Sequence, residues 1–120
     1  MRSIYLENKG DSFLVHQLPI EAQFSPVYAI TAIDANKDGK MDLLLAGNNA
    51  WTRIRYGRYE ANHGVLLLGN GKGGFAYVPQ SKSGLNIRGD VKSLLTIKQG
   101  LITKALVGLN NDNATMLEIK

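Results

Sequence analysis

Apolar residues in this chain fall in short blocks: Ile4 to Leu6, Phe13 to Val15, Val27 to Ile33, Leu43 to Ala46, Val65 to Leu68, Phe75 to Val78, Leu94 to Ile97 and Ala105 to Val107. Clusters of Gly, Asn, Asp and Pro separate them, and these are residues that turn a chain, so each block reads as a strand. Two blocks, Leu43-Leu44-Leu45 and Val65-Leu66-Leu67-Leu68, do not alternate with polar residues. Successive side chains of a strand point to opposite faces, so an unbroken apolar strand needs cover on both. The pattern predicts an all-β chain in which some strands lie between two other layers. A lone sandwich would show more alternation.

The blocks also repeat. Asn8-Lys9-Gly10-Asp11-Ser12-Phe13 returns 62 positions later as Asn70-Gly71-Lys72-Gly73-Gly74-Phe75. Pro26-Val27 answers to Asp90-Val91, and Leu45-Ala46-Gly47-Asn48-Asn49 to Val107-Gly108-Leu109-Asn110-Asn111, in the same order. With the strands of one unit lettered a to d, the chain reads c (4–7), d (13–17), a (27–33), b (42–47), c (65–69), d (75–79), a (91–97), b (103–108). Met116-Leu117-Glu118-Ile119-Lys120 echoes Tyr5-Leu6-Glu7-Asn8-Lys9 as one more c strand. Four short strands per repeat suit a propeller blade. The expected architecture is therefore about two four-stranded antiparallel propeller-type blades, a partial β-propeller, with a two-layer β fold as the open alternative. Residues 1–120 form a single β-repeat domain on this reading, with one repeat over about 4–63 and the second over about 66–120.

Composition narrows the possible functions. At 120 residues there is room for one domain. The formal charge of +4, from 14 basic and 10 acidic residues, is a mild excess without the dense basic stripe of strong nucleic-acid binders. No cysteine is present, which excludes a disulfide framework and thiolate metal ligation. The opening MRSIYLENKGDSF has no apolar signal core, and no apolar run approaches the roughly 20 residues that span a bilayer, so no membrane insertion is expected.

The sharpest chemical signal is Asp34-Ala35-Asn36-Lys37-Asp38-Gly39-Lys40-Met41-Asp42, with oxygen-bearing side chains at loop positions 1, 3, 5 and 9. Calcium prefers six to eight hard oxygen ligands, and alternate residues of a tight loop can turn theirs inward. Gly39 permits the positive φ that reverses the chain. The expected shell is Asp34, Asn36 and Asp38 through side chains, Lys40 through its carbonyl, and Asp42 last. The bland alternative is an Asp-Gly hairpin turn with solvated acids. An EF-hand fits less well, because position 12 is Leu45 rather than Glu and both flanks read as strands.

These residues resemble the FG-GAP or VCBS repeats of integrin α-like propellers. The family pattern V-x-x-x-D-x-N-x-D-G-x-x-D-L-x-x-G is met by Ile30 in place of Val, then Asp34, Asn36, Asp38, Gly39, Asp42, Leu43 and, one residue late, Gly47. Gly64-Val65-Leu66-Leu67-Leu68-Gly69-Asn70-Gly71 and Phe75 look like that family's third strand and the turn before its fourth, and the overall run, including Gly57-Arg58-Tyr59-Glu60, resembles the C-terminal part of exported Bacteroidetes-type VCBS-repeat proteins. The resemblance implies a calcium-stabilised binding or scaffold module without catalysis, in an exported, periplasmic or cell-surface setting. The second copy departs from the pattern: Lys98-Gln99-Gly100-Leu101-Ile102-Thr103-Lys104 stands where the acidic loop should be, and it cannot hold calcium.

Residues 49–63, the long b-to-c connection, gather Trp51, Arg53, Arg55, Tyr56, Arg58 and Tyr59. Arginine and aromatic side chains on a loop suit recognition by stacking and bidentate pairing. In an up-and-down blade this loop lies opposite the acidic one. Packing between blades is the bland alternative. A protein or glycan ligand, an accessory role in an enzyme, and nucleic acid all remain open for it. Gly69-Asn70-Gly71-Lys72-Gly73-Gly74 satisfies G-x-G-x-x-G but joins two strands and opens no helix, which removes dinucleotide binding, and Gly after Lys72 removes a P-loop. His16 and His63 stand apart from any serine and carboxylate set of the triad kind. Since two blades cannot close a ring, self-association is expected.

Overall fold

The computed structural model describes residues 2–24, 26–48 and 63–119. Among them nine strands form: β1 (Ile4–Asn8), β2 (Phe13–Gln17), β3 (Val27–Ile33), β4 (Asp42–Gly47), β5 (Val65–Gly69), β6 (Phe75–Val78), β7 (Val91–Gln99), β8 (Ile102–Leu109) and β9 (Thr115–Ile119). A 3-10 turn at Ile20–Gln23 leads into β3, and one helical turn, α1 (Gln80–Ser83), follows β6. The chain is all-β, as its pattern predicts, and the strand positions agree with the expected ones to within two residues.

Three antiparallel sheets result, ordered β1-β2, β3-β4-β5-β6 and β7-β8-β9, and none is closed. Where about two four-stranded units are expected, the fold has one four-stranded sheet together with sheets of two and three strands. In letters the first sheet is c-d and the third is a-b-c, because the echo near the C-terminus does form a strand. That strand, β9, pairs with β8 from Thr103↔Ile119 to Val107↔Thr115.

The first two strands of the central and third sheets pair in the same register. Val27 faces Gly47 and, after a bulge, Ala29 faces Ala46; Val91 faces Leu109 and, after a bulge at the same place, Ser93 faces Gly108. A bulge inserts one unpaired residue and re-aims it. Those residues are Tyr28 and Lys92, and the Lys92 ammonium sits 3.8 Å from the Tyr28 ring centroid, joining the two sheets. Thr31 and Thr96 add a hydroxyl contact of 2.7 Å across the same interface.

The unbroken apolar strands are explained by their position. Leu45 points toward the first sheet, where it packs with Leu18, Ala22, Val65 and Leu67, and with Tyr5 and Phe75 at the margin. Leu44, one residue earlier, points the other way, into a cluster with Ile33 and Ala105. A third cluster joins Ala29, Ala46, Val91 and Val107 of the two sheets with Ile87. β4 is thus covered on both faces, and at about 25 cal/mol per Å2 of apolar surface this burial is the main stabilising contribution.

Asp42 starts β4 with 0 % exposure. Its Oδ2 accepts from Ala35 N at 2.9 Å and its Oδ1 from Gly69 N at 2.9 Å. The first bond closes the loop between β3 and β4; the second clamps that loop to the end of β5. Glycine is required at 69, since a Cβ there would collide with the Met41 carbonyl. The β3–β4 and β5–β6 turns therefore share one end of the sheet, as an up-and-down order demands.

Removing the Asp42 carboxylate should strand two amides near the core. Asp42→Ala is expected to cost about 2–5 kcal/mol, judged from unsatisfied buried donors. Gly69→Ala should cost about 1–3 kcal/mol by overpacking. Urea titrations followed by circular dichroism measure both, and a wild-type midpoint in Asp42→Ala would refute the clamp.

Candidate functional site

The acidic loop between β3 and β4 is wound around its first residue. Asp34 Oδ1 accepts from Asp38 N at 3.0 Å and Oδ2 from Gly39 N at 2.9 Å, so one half-buried carboxylate holds the turn. Asn36 Oδ1 also accepts from Asp38 N, at 3.2 Å, while its Nδ2 donates to Asp38 Oδ2 at 3.1 Å. Asp38 Oδ1 accepts from Lys40 N at 2.8 Å, and the Lys40 ammonium lies 3.9 Å from Oδ2. The Lys40 amide, helped by Asn36 and the Lys40 charge, holds the exposed Asp38 carboxyl below its ordinary value.

Two residues reverse the chain here, Gly39 at φ 81° and Lys37 at φ 61°. The left-handed region is natural for glycine and costs other residues about 1–2 kcal/mol, so Lys37 is held there by the surrounding side-chain bonds. In the second copy the same connection shrinks to a hairpin in which Gln99 pairs with Ile102 and Gly100 takes φ 64°. That turn carries no carboxylate.

Of the expected calcium ligands, the fold brings Asp34, Asn36 and Asp38 to one exposed loop and places Asp42 beneath it as the clamp. Among the described residues, however, no three acidic, histidine or cysteine side chains converge as a metal cluster. The donor set fits calcium in its chemistry, being hard oxygens on alternate residues beside left-handed turns. In this arrangement the oxygens serve backbone amides, so an ion has to draw the exposed Asn36 and Asp38 side chains inward. Asp34 and Asp42 can take part without giving up their amides, because each carboxylate oxygen has a second lone pair.

The aromatic and basic residues Trp51, Arg53, Arg55, Tyr56, Arg58 and Tyr59 lie outside the described residues. Asn48 and His63, on either side of that stretch, follow β4 and precede β5 at the end of the sheet away from the acidic loop. The His63 carbonyl accepts from Ile87 N at 2.9 Å, and among the described residues its buried Nδ1 has no hydrogen-bond partner. A groove of about 570 Å3 between the central and third sheets is lined by Leu66, Leu68, Val78, Leu85, Glu118 and Ile119. It is chiefly apolar, with Asn36, Ser81, Lys82, Ser83 and Glu118 adding polar groups along it.

A grouping that sequence reading missed stands on the β1–β2 hairpin. His16 is isolated in the sequence, yet its Nε2 lies 2.9 Å from Glu7 Oε2, while Lys9 Nζ donates to Glu7 Oε1 at 2.6 Å. Pairing Tyr5 with His16 and Glu7 with Leu14 puts both side chains diagonally on one face, a relation that the strand register alone reveals. The ring of Tyr5 flanks His16, and a Cβ on Gly73 would come within 3.1 Å of His16 Nε2. The hairpin thus seats its polar pair against the β5–β6 turn of the central sheet.

Lys9 first, and then His16, hold the Glu7 carboxyl below its ordinary value. A carboxyl depressed in the folded state lends stability above its unfolded value and loses it as pH falls through the folded one. The pairing of Glu7 with Lys9 and His16 on the hairpin is therefore expected to hold at neutral pH and to loosen only below the usual glutamate range. A carbon-detected NMR titration reads the Glu7 midpoint directly, and one at or above the free-glutamate value would contradict the pairing. Family models, curated proteins and solved structures were each compared with this chain, and none matches.

Proposed function

We propose that this chain is a non-catalytic, calcium-stabilised binding or scaffold module built from FG-GAP/VCBS-like repeats, its three sheets corresponding to one complete and two partial blades of a propeller. The observation that carries this reading is the repeated a–b register with its bulge in one place, combined with an Asp-x-Asn-x-Asp-Gly loop in one copy alone. A sheet that forms equally well around a short hairpin does not need the exposed side chains of Asn36 and Asp38 for folding. Their spacing is then accounted for by a ligand of hard character, held by Asp34, Asn36, Asp38, the Lys40 carbonyl and Asp42. Calcium bound there supplies positive charge that ties the loop together and leaves the sheets as a rigid platform. The resemblance on which the family reading stands also supports an exported or cell-surface setting.

The recognition surface on this reading is the stretch with Trp51, Arg55 and Tyr59, whose composition favours a protein or glycan partner. An accessory part in an enzyme and binding of nucleic acid are the competing uses of the same residues. On a glycan array, retention through aromatic stacking should persist in salt and disappear in Trp51→Ala. Affinity for oligonucleotides that falls steeply with salt would favour the nucleic-acid use instead.

Calcium provides the direct test. An ion bound by the folded loop and not by the unfolded chain stabilises by mass action, roughly 2.7 kcal/mol at a hundredfold excess over Kd, or about 10 °C in Tm for a domain of this size. Asp34→Ala and Asp38→Ala should each abolish this increment while retaining a cooperative melt. Coincident melting curves in calcium and in EDTA would remove the calcium reading.

A further inference from the structure

The shared register lets corresponding positions of the central and third sheets be compared. Leu45 pairs with Val65 as Val107 pairs with Thr115, and Leu43↔Leu67 corresponds to Ala105↔Leu117. In the central sheet Leu45, Val65 and Leu67 are buried with Leu18 and Ala22, which the connection after β2 supplies as a plug. In the third sheet the connection after β6 places Ile87 in the cluster with Val107, and a cavity of about 310 Å3 is left beside Ile87, Val107, Leu109 and Leu117. Thr115, which borders it, is exposed where its counterpart Val65 is buried.

The rim of this cavity is polar and carries both signs of charge. Asn86 and Arg88 reach it from the connection, and Asp112 and Asn113 from the β8–β9 turn. Both segments are tied in place: Ile87 N donates to the His63 carbonyl at 2.9 Å, Asn48 Nδ2 to the Gly89 carbonyl at 3.2 Å, and Asn110 N to the Asp90 carbonyl at 2.8 Å. Arg88 Nε makes a long contact of 3.4 Å with Asn86 Oδ1, and Asp112 Oδ1 accepts from Asn113 N at 2.7 Å. Among the described residues neither Arg88 nor Asp112 has an ion-pair partner, although both border the same cavity. The guanidinium fork and one carboxylate oxygen are therefore left for a guest.

We infer that this cavity binds a small zwitterion with an aliphatic side chain, an α-amino acid of the leucine type. Its carboxylate meets Arg88, whose planar fork suits a carboxylate bidentately. Its ammonium meets the Asp112 carboxylate, with the carboxamide oxygens of Asn86 and Asn113 as further acceptors. Its side chain lies on Ile87, Leu109 and Leu117. The volume selects a small guest, since it is at the lower end of the roughly 300–1,000 Å3 that ligand pockets span. A sugar matches less well, because it has no charges to answer Arg88 and Asp112, and no aromatic ring is among the described residues that line the cavity. None of the acidic-loop residues takes part, so a test in EDTA separates failure of this inference from failure of the metal reading.

L-Leucine titrated into the full chain at neutral pH in EDTA, followed by amide NMR, should shift residues 86–89 and 110–117 in a saturable manner. Arg88→Gln and Asp112→Asn should each weaken binding roughly 10- to 100-fold, the range for a hydrogen bond to a charged group. Both side chains are exposed, so each variant should keep its melting curve. Arg88→Ala and Asp112→Ser replace either variant that fails to fold. L-Leucinamide, which lacks the carboxylate, should bind weakly and be indifferent to Arg88→Gln; 4-methylpentanoate, which lacks the ammonium, should bind weakly and be indifferent to Asp112→Asn. The inference is overturned by the absence of saturable shifts with leucine, by glucose shifting these residues in its place, or by leucine binding that either substitution leaves unchanged.

Discussion

The buried carboxylate of Asp42 is the constraint on which the arrangement around β4 depends. Placing a carboxylate at the first residue of a central strand removes it from water, and the cost is offset by two backbone amides, from Ala35 and Gly69, at 2.9 Å each. Both donors belong to the main chain, so the bonds fix backbone to backbone: the start of the acidic loop to the start of β4, and that to the end of β5. Gly69 follows from the same geometry, since its amide can approach only where the Met41 carbonyl meets no Cβ. Loop, central strand and glycine turn form one mechanical unit.

That unit holds β4 where both its faces are covered. Leu44 and Leu45 serve two different clusters, one on each side, so the central sheet is simultaneously the floor for the first sheet and the ceiling for the third. Small side chains at Ala29, Ala46 and Ala105 allow the close approach of β3 and β4 to the third sheet that brings Thr31 to Thr96 and Tyr28 under Lys92. Contacts of this type are directional and add little energy each; their effect is to set the stagger of two apolar faces that would otherwise slide.

The acidic loop is an addition to this scaffold. Its counterpart in the third sheet is a hairpin with the same flanking register, which shows that the sheet does not require it. The loop retains acids on alternate residues, whose oxygens bond its backbone amides, and a lysine in a left-handed conformation, which is costly in a plain turn. It is also attached to the core through Asp42, so ordering of its exposed half is felt by β4 and β5.

Local pattern settled much of this molecule. Apolar blocks and turn residues located the strands, since strand formation depends on side-chain alternation and on Gly, Asn and Asp at reversals. Unbroken runs at residues 43–45 and 65–68 announced burial on both faces, and the repeated segments announced a repeated register. The spacing of Asp34, Asn36, Asp38 and Asp42 likewise marked the loop. Tertiary structure alone decided what depends on residues distant in sequence. Asp42 reads in the sequence as the last acid of a loop, and only packing shows that it reaches Gly69 in another strand. His16 has no partner within its own neighbourhood, and the β1–β2 register delivers Glu7. The division into sheets of two, four and three strands was legible only in part, because a strand's neighbours are chosen by which edges and faces lie within reach once the core has formed.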